Sequence, residues 1–292
     1  MSMKNSSRLK KKIEGSVYGF AIGDAMGATT EFMSKENILK VYGEVNDIIG
    51  GGWLNLIAGS VTDDTQMTMC VMDALEDCHK NYYMNEECFQ NICAINFIHW
   101  LESKPIDVGG QCKLSISKGM TPYFNGDYMS NVVKAMNEAA HNDKALGNGS
   151  LMRAMPCALI NRPDLNVAQG ALTHDNKTCS SVILEYTSLL QHFLCDKNYN
   201  EKTKKILEPS GCIINTFNNA KYWSQKDSFY DSIIGAVNNG GDADTIAAIT
   251  GSLAGARFGI DCIPKEWIEK LNPKVKKSLN NFIKFVINYL QI

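Results

Sequence analysis

Two short stretches of the sequence place carboxylates and threonines together, directly ahead of an apolar helix. The first is "VTDDTQM" at 61–67 and the second is "GGDADTIAA" at 240–248. Side chains of both types can cap a helix, because they accept hydrogen bonds from its first N–H groups. They are also the oxygen ligands that Mg²⁺, Mn²⁺ and Ca²⁺ prefer. The repeated pattern leaves helix capping and shared metal binding as alternatives.

The number of carboxylates in the two stretches bears on how many ions they would hold. Together the stretches contain four aspartates, which is more negative charge than one Mg²⁺ site needs. Two divalent ions about 3.5–4 Å apart can hold vicinal hydroxyls and lower the pKa of a bridging water. The alternative to helix capping is therefore a pair of neighbouring divalent ions shared by the two stretches.

Rows of small residues identify two of the helices that must position these stretches. Glycine recurs every four residues from Gly15 to Gly27, and small residues recur at the same interval from Ala247 to Gly259. An interior glycine costs about 1 kcal/mol relative to alanine, so such rows predict a close approach of two helices. We expect these helices to pack together, with Glu31 and the second acidic stretch beside them. Further helices are predicted over 63–78, 86–102, 129–140, 150–160, 176–195, 228–238 and most of the chain from Trp267 onward.

The composition is that of an ordinary globular protein. The 292 residues are 45% hydrophobic and 21% charged, with a formal net charge of −2. Strand patterns are almost absent and no linker marks a boundary, which predicts one all-α domain over 1–292 with a start that need not be ordered. Nothing in the sequence indicates an obligate interface, which favours a monomer. The charge gives no case for nucleic acid or anionic membranes, and no apolar run approaches about 18 residues. The ten cysteines are scattered without a C-x-x-C pair, which favours reduced thiols in a cytoplasmic protein.

Five motifs in order resemble those of the ADP-ribosylglycohydrolase family, which includes the dinitrogenase-reductase-activating glycohydrolases and the ADP-ribosyl-acceptor hydrolases. Besides the two acidic stretches they are "GFAIGDAMGATTEF" at 19–32, "GNGSLMRAMP" at 147–156 and "THDN" at 173–176. The resemblance implies an all-α fold with a binuclear Mg²⁺ or Mn²⁺ centre. It further implies hydrolysis of the bond that joins ADP-ribose to a side chain of a mono-ADP-ribosylated protein, with ADP-ribose as product.

The resemblance also implies roles for individual residues. Two divalent cations would be held by Thr62, Asp63, Asp64, Asp242, Asp244 and Thr245. Glu31, at the end of the first family motif, would transfer a proton or gate the metal centre. Asp63 and Asp64 are the alternative bases. An oxocarbenium-like transition state would gain from the surrounding carboxylates, as in glycosidases generally.

The stretch at 147–156 is predicted to be a flexible loop that enters a short helix. Exposed N–H groups at such a junction can hold a diphosphate. Ser150 is a candidate N-cap, and Pro156 is expected to end or bend the helix. Arg153 would either reach a phosphate or serve as an internal structural arginine. The resemblance implies ADP-ribose contacts from Gly147, Asn148, Gly149, Ser150, Met152, Arg153 and His174.

Two further stretches bear on the acceptor of the ADP-ribose. "IGGGWLNLIAGS" and "SKPIDVGGQC" look closest to the nitrogenase-associated branch of the family, which removes ADP-ribose from arginine. Asp107 in the second stretch is assigned to the substrate side of the site, with an ordinary loop aspartate as the alternative. The glycines of the first stretch are expected to form a connector.

Other functions remain open on the sequence alone. ADP-ribosyl-serine and small ADP-ribosyl compounds are alternative substrates. A non-catalytic ADP-ribose-binding or structural relative is expected to lose metal ligands, and all six are present here. A binuclear-metal phosphohydrolase predicts Lys, Arg or His near the acidic stretches, and neither stretch has them.

Overall fold

The computed structural model describes residues 3–81, 84–196 and 202–292 of the chain. Within this part of the chain the regular elements are helical, and the bridges Gly51–Leu56 and His141–Asp175 are isolated. The all-α prediction is confirmed. The expectation that the start of the chain need not be ordered falls in part on residues 1 and 2, which lie outside the described ranges. The helices are α1 (Met3–Gly27), α2 (Lys35–Tyr42), α3 (Asp63–Lys80), α4 (Glu86–Glu102), α5 (Gly110–Phe124), α6 (Met129–Ala140), α7 (Met155–Leu159), α8 (Pro163–Ala171), α9 (Lys177–Leu194), α10 (Ile213–Ser224), α11 (Phe229–Val237), α12 (Ala243–Phe258), α13 (Lys265–Lys270) and α14 (Pro273–Leu290), with a 3₁₀ turn at Ile260–Cys262.

The chain divides into two compact units. The first unit comprises Met1–Thr65 with Leu189–Ile292, and the second comprises Gln66–Ser188. The single-domain assignment over 1–292 stays a prediction. Among the described residues, no helix has the length and apolar character that crossing a membrane requires. All ten cysteines fall within the described ranges and are free thiols.

In the first unit, α1 and α12 pack along their rows of small residues. A Cβ atom added at Gly15 would lie 2.5 Å from the carbonyl oxygen of Gly255, and one added at Gly27 would lie 2.5 Å from that of Ala243. Both distances are shorter than a real Cβ atom tolerates, so the glycines are what permits this packing. The predicted helix pair is confirmed. The pairing is antiparallel, which brings the end of α1 to the start of α12.

In the second unit, α4 packs against α5, α6 and α8, while α5 packs against α6. The predicted apolar face of α3 is buried in this unit, as the sequence pattern requires. The residues of that face with no exposed surface are Met67, Val71, Ala74, Leu75 and Cys78.

The sequence patterns did not predict four of the helices, namely α2, α5, α8 and α10. The start of α2 carried a readable signal, since the Ser34 side chain caps it by accepting the N–H of Asn37 at 3.2 Å. The start of α5 did not, because Gly109 precedes it without a side-chain cap. The stretch from Trp267 onward forms two helices, and Asn272 caps the second by accepting the N–H of Lys274.

The expectations for 150–160 are wrong in detail. The helix there is α7, which covers only Met155–Leu159, and Ala154 precedes it. Ser150 is therefore not the N-cap. Pro156 lies in the first turn of α7, where a residue without an N–H is tolerated, so it begins the helix and does not end it.

Candidate metal centre

A buried aspartate on α1 holds the first acidic stretch in place. Asp24 accepts the N–H groups of Thr62 and Thr65, each at 3.1 Å, and the hydroxyl of Thr65. It thus satisfies donors at the first turn of α3 from another helix. Sequence reasoning assigned Asp24 no role, although a carboxylate within an apolar, glycine-rich helix is the signal that could have found it.

The two acidic stretches and Glu31 meet in the first unit. Carboxylate oxygens of Asp24, Asp64 and Asp244 lie within 4.8 Å of one another. The same limit holds for oxygens of Glu31, Asp242 and Asp244. Asp244 therefore belongs to both groups and links two positions at which carboxylates converge.

The carboxylates at the centre of this arrangement are buried and lack compensation. Burial raises the pKa of Asp64 well above its ordinary value, and the neighbouring carboxylates, Asp244 foremost, raise it further. Burial and then Glu31 raise the pKa of Asp244 in the same direction. Asp64 Oδ2 and Asp244 Oδ1 have no hydrogen-bond partner within the described ranges. Burying an ionised carboxylate without a partner costs free energy, so bound protons or cations would stabilise this cluster.

A divalent cation fits the donor set. Threonine hydroxyls stand among the carboxylates: that of Thr62 accepts the N–H of Asp64 at 3.3 Å, and that of Thr245 donates to Asp64 Oδ1 at 3.4 Å. Carboxylate and hydroxyl oxygens are ligands for Mg²⁺ and Mn²⁺, and two orphaned buried oxygens leave ligand positions available. At the start of α12, by contrast, the Asp242 side chain makes no capping hydrogen bond, so capping does not account for the second stretch.

Glu31 is held by an aromatic residue that the sequence analysis did not single out. Its carboxylate is buried, and Oε2 accepts the indole N–H of Trp53 at 2.6 Å. Trp53 lies in the glycine-rich stretch that was expected to be a connector. Within that stretch the chain turns back on itself, because Gly51 and Leu56 exchange two backbone hydrogen bonds at 2.8 and 2.9 Å.

In the second unit, His174 packs against the loop at 147–153. A Cβ atom added at Gly147 would lie 2.9 Å from His174 Nε2, and one at Gly149 would lie 2.8 Å from its Cε1. Burial lowers the pKa of His174 to about 3, so the imidazole is neutral near pH 7. The loop and the histidine are therefore together, as the order of the motifs implies. Ser150 Oγ is buried there without a hydrogen-bond partner within the described ranges.

Arg153 lies in the interior of the second unit. Its guanidinium donates to Gln169 Oε1 at 2.7 Å, to the Gln169 carbonyl at 2.8 Å, to the Gly149 carbonyl at 2.5 Å and to the Thr173 hydroxyl at 2.7 Å. The group is fully buried. These bonds favour the structural alternative for Arg153, since contact with a phosphate would require breaking them.

The remaining assigned residues of the second unit have local contacts. Met152 is buried, and its N–H donates to the Asn148 carbonyl at 3.0 Å. Asp107 precedes α5, and its carboxylate accepts the N–H of Val108 at 2.8 Å. Neither contact tests a role in ADP-ribose binding.

Known proteins resemble this chain in both sequence and structure. The family model described as ADP-ribosylglycohydrolase matches residues 5–209 and 185–289. The ADP-ribosyl-(dinitrogen reductase) glycohydrolase of Rhodospirillum rubrum is 33% identical over 91% of this chain and 92% of its own. The ADP-ribosylarginine hydrolase Tri1 of Pseudomonas putida (strain GB-1) is 28% identical over 89% of this chain and 74% of its own.

A solved structure agrees with the fold. It is described as an ADP-ribosylglycohydrolase-related protein complex, and it aligns with a TM-score of 0.77 over 97% of this chain and 99% of its own. At 22% identity this match supports the fold alone. The family model and the Rhodospirillum relative go further: the chain belongs to the ADP-ribosylglycohydrolase family and is a glycosidase of that family.

Proposed function

We propose that this protein removes ADP-ribose from modified arginine side chains with the help of two divalent cations, Mg²⁺ or Mn²⁺. The coarser activity, hydrolysis of an ADP-ribosyl bond, is common to the relatives. The Rhodospirillum relative is named for ADP-ribosyl-dinitrogen reductase, and the Pseudomonas relative for ADP-ribosylarginine. Arginine as the acceptor rests on the second name and on the two stretches that resemble the arginine-specific branch.

One observation carries the metal dependence: Asp64 Oδ2 and Asp244 Oδ1 are buried carboxylate oxygens without a hydrogen-bond partner in the described part of the chain. When bound, divalent cations supply Lewis acidity to the ribose hydroxyls and to water. Asp244, which is common to both groups of converging carboxylate oxygens, would be a ligand at this centre. The other proposed ligands are Thr62, Asp63, Asp64, Asp242 and Thr245.

Glu31 is proposed as the proton acceptor. In the hydrolysis, a water oxygen attacks the anomeric carbon while the bond from that carbon to the guanidino nitrogen breaks. One proton of the water passes to a carboxylate, and the leaving guanidine takes up a proton. The indole N–H of Trp53 donates to Oε2 of Glu31 at 2.6 Å and so orients the carboxylate for proton transfer. Asp63 and Asp64 are the alternative bases.

The ADP-ribose contacts are proposed from the second unit. The Ser150 hydroxyl, which has no hydrogen-bond partner in the described part of the chain, and the neutral imidazole of His174 are assigned to the diphosphate and ribose. Gly147, Asn148, Gly149 and Met152 are assigned to the same ligand, and Asp107 to the acceptor side. Arg153 would act indirectly by holding the Gly149 carbonyl. We also propose a monomeric, cytoplasmic protein without nucleic-acid or membrane partners, which size-exclusion chromatography and fractionation of cells would test.

The test uses proteins that carry mono-ADP-ribose on arginine or on serine. Free ADP-ribose is measured after incubation with the purified chain, in EDTA and then with added Mg²⁺ or Mn²⁺. Asp64→Asn and Asp242→Asn remove proposed ligands, while Asp47→Asn is a matched control, because Asp47 pairs with Lys270 at the surface of the same unit. We expect cation-dependent release from arginine that both ligand variants lose and the control keeps.

Each other outcome selects an alternative. Release from serine alone would keep the mechanism and change the acceptor. Release that persists in EDTA and in both ligand variants would refute the metal centre. ADP-ribose binding without release would favour a non-catalytic relative, and phosphate release from nucleotides would favour a phosphohydrolase.

A further inference from the structure

Two exposed aromatic rings lie directly beside Glu31. The ring centroids of Phe32 and Trp53 are 5.4 Å apart, with an angle of 49° between the planes. Phe32 is 68% exposed and Trp53 is 50% exposed. Aromatic side chains gain much from burial, so a pair left open to solvent next to a functional carboxylate indicates a binding surface.

The backbone holds Phe32 in this position at a cost. Its φ is 60°, a left-handed conformation that bulky residues rarely adopt. Its N–H donates to the Gly241 carbonyl at 2.7 Å, and the Gly241 N–H donates to the Met33 carbonyl at 2.9 Å. These two bonds fix Phe32 to the residue that precedes Asp242. Such strain persists where the surrounding structure imposes it, most often at functional sites.

The loop that carries Trp53 is fixed to the residues just before Glu31, namely Ala28 and Thr29. Gly52 has a φ of 67°, and a Cβ atom there would collide with the carbonyl oxygen of Ala28. The Thr29 hydroxyl donates to the Gly50 carbonyl at 3.0 Å. Only glycine fits this approach, so the loop presents the indole ring from a rigid support.

The chemistry of this surface selects among possible ligand groups. Two aromatic faces attract a cation through their π systems, and a planar guanidinium also stacks on them. The Glu31 carboxylate at the edge of the indole would favour positive charge and accept N–H groups. A serine hydroxyl offers none of these interactions. The guanidinium of an arginine acceptor matches both features of the surface.

We propose that Phe32 and Trp53 form the subsite for the acceptor guanidinium and so give the enzyme its preference for arginine over serine. This inference rests on the proposed hydrolysis of ADP-ribosyl conjugates at the acidic cluster. The aromatic pair lies on the acceptor side of the scissile bond, next to the carboxylate assigned to proton transfer. It discriminates between acceptors and leaves the binding of ADP-ribose itself to other residues.

The first experiment compares KM and kcat for ADP-ribosyl-arginine and ADP-ribosyl-serine in the variants Trp53→Leu and Phe32→Leu. We expect KM for the arginine conjugate to rise roughly 3- to 30-fold in both variants, with little change in KM for the serine conjugate. In Trp53→Leu, kcat should fall for both conjugates, because the N–H that orients Glu31 is lost, whereas Phe32→Leu keeps that N–H. Trp53→Phe keeps an aromatic ring but removes the N–H that binds Glu31, and it is expected to retain most of the arginine preference. Tyr230→Leu is the matched control, because Tyr230 is an exposed aromatic in the same unit that stacks on Trp267.

A binding measurement separates this inference from the proposed function. In EDTA, calorimetry compares the affinities for ADP-ribosyl-arginine and for ADP-ribose. Tighter binding of the arginine conjugate that Trp53→Leu abolishes would support the subsite even if no hydrolysis were found. Equal affinities in the unchanged protein would overturn it. Weaker binding of free ADP-ribose in Trp53→Leu would also overturn it, since the rings would then contact the nucleotide. An equal loss of binding affinity for the arginine and serine conjugates would reduce Trp53 to a positioning residue for Glu31. The same conclusion would follow if Trp53→Phe lost as much affinity for the arginine conjugate as Trp53→Leu.

Discussion

The two units each bury charge, but they do so in opposite ways. In the second unit the Arg153 guanidinium has no exposed surface and donates to oxygens of Gly149, Gln169 and Thr173. In the first unit, Asp64 and Asp244 are nearly as buried, yet each has an oxygen without a hydrogen-bond partner in the described ranges. Burial raises the pKa of both, and their neighbours, which are other carboxylates, raise it further.

This difference separates a structural charge from a functional one. A buried ion whose hydrogen bonds are satisfied rigidifies its surroundings, and removing it leaves its partners unpaired. Buried ions of like sign that lack partners weaken the fold unless a ligand compensates them. The acidic cluster is therefore expected to contribute to activity at the expense of the stability of the metal-free protein. Arg153 is expected to stabilise the fold and to take no direct part in the activity.

The largest expected effect is on activity, from Asp64→Asn. We predict a loss of more than about 100-fold in kcat/KM, because even residues that only support metal ligands typically cost 10- to 100-fold. The metal-free protein should be as stable as the unchanged protein or more stable. A carboxyl group with a raised pKa in the folded state weakens folding as pH rises above its unfolded value of about 3.9, and the amide removes that effect at pH 7.

Thermal unfolding in EDTA and in Mg²⁺ measures both parts of this prediction. Mg²⁺ should raise the Tm of the unchanged protein and of Asp47→Asn, but not that of Asp64→Asn. If Asp64→Asn were markedly less stable than the unchanged protein in EDTA, Asp64 would be a structural residue.

The second effect is on stability, from Arg153→Met. We expect a loss of about 3–5 kcal/mol in the free energy of unfolding, because several buried acceptors lose their donor at once. Affinity for Mg²⁺ should be unchanged in the folded protein. Lys134→Met is the control: Lys134 and its partner Glu138 are 73% and 69% exposed, so the change should cost less than about 1 kcal/mol in urea unfolding. Similar losses for the two variants would contradict the contrast between the units.

Asp24→Asn tests the contrast within the acidic cluster itself. Unlike Asp64, Asp24 has its oxygens occupied by donors from Thr62 and Thr65. An amide keeps one acceptor and turns an N–H group toward those donors, so we expect a loss of about 1–3 kcal/mol in the free energy of unfolding. Urea unfolding in EDTA would measure it. A neutral or stabilising result would place Asp24 with the unpartnered ligands.

Local patterns made much of the fold predictable. The rows of small residues at Gly15–Gly27 and Ala247–Gly259 identified the helix pair of the first unit, because a four-residue interval is a property of one helix face. The two acidic stretches were visible for the same reason, since each is continuous in sequence. That Glu31 joins them required the resemblance to a family as well as the helix pairing.

The features that the sequence did not reveal depend on partners distant in the chain. Asp24 acquires its role only because α1 brings it to the first turn of α3. Trp53 reaches Glu31 from the turn that Gly51 and Leu56 close, and the glycine-rich pattern alone does not predict that contact. Arg153 depends on Gln169, which lies on α8, a helix that was not predicted. Its two alternatives could not be separated until those hydrogen bonds were known.

The smallest expected effect concerns His174, which is buried in the second unit but neutral. Its pKa is lowered to about 3 by burial, whereas an unfolded histidine titrates near 6.5. The unfolded chain therefore binds a proton that the folded chain rejects, and stability falls as pH drops below about 6.5. At pH 5.5 the loss is about 1 kcal/mol relative to pH 7.5. The difference in pH dependence between the unchanged protein and His174→Gln isolates this contribution, because all other groups titrate in both. Parallel curves would mean that His174 is accessible to protons in the folded state. In that case burial would not determine the charge of His174, and the contrast between the satisfied Arg153 and the unsatisfied acidic cluster would not extend to this histidine.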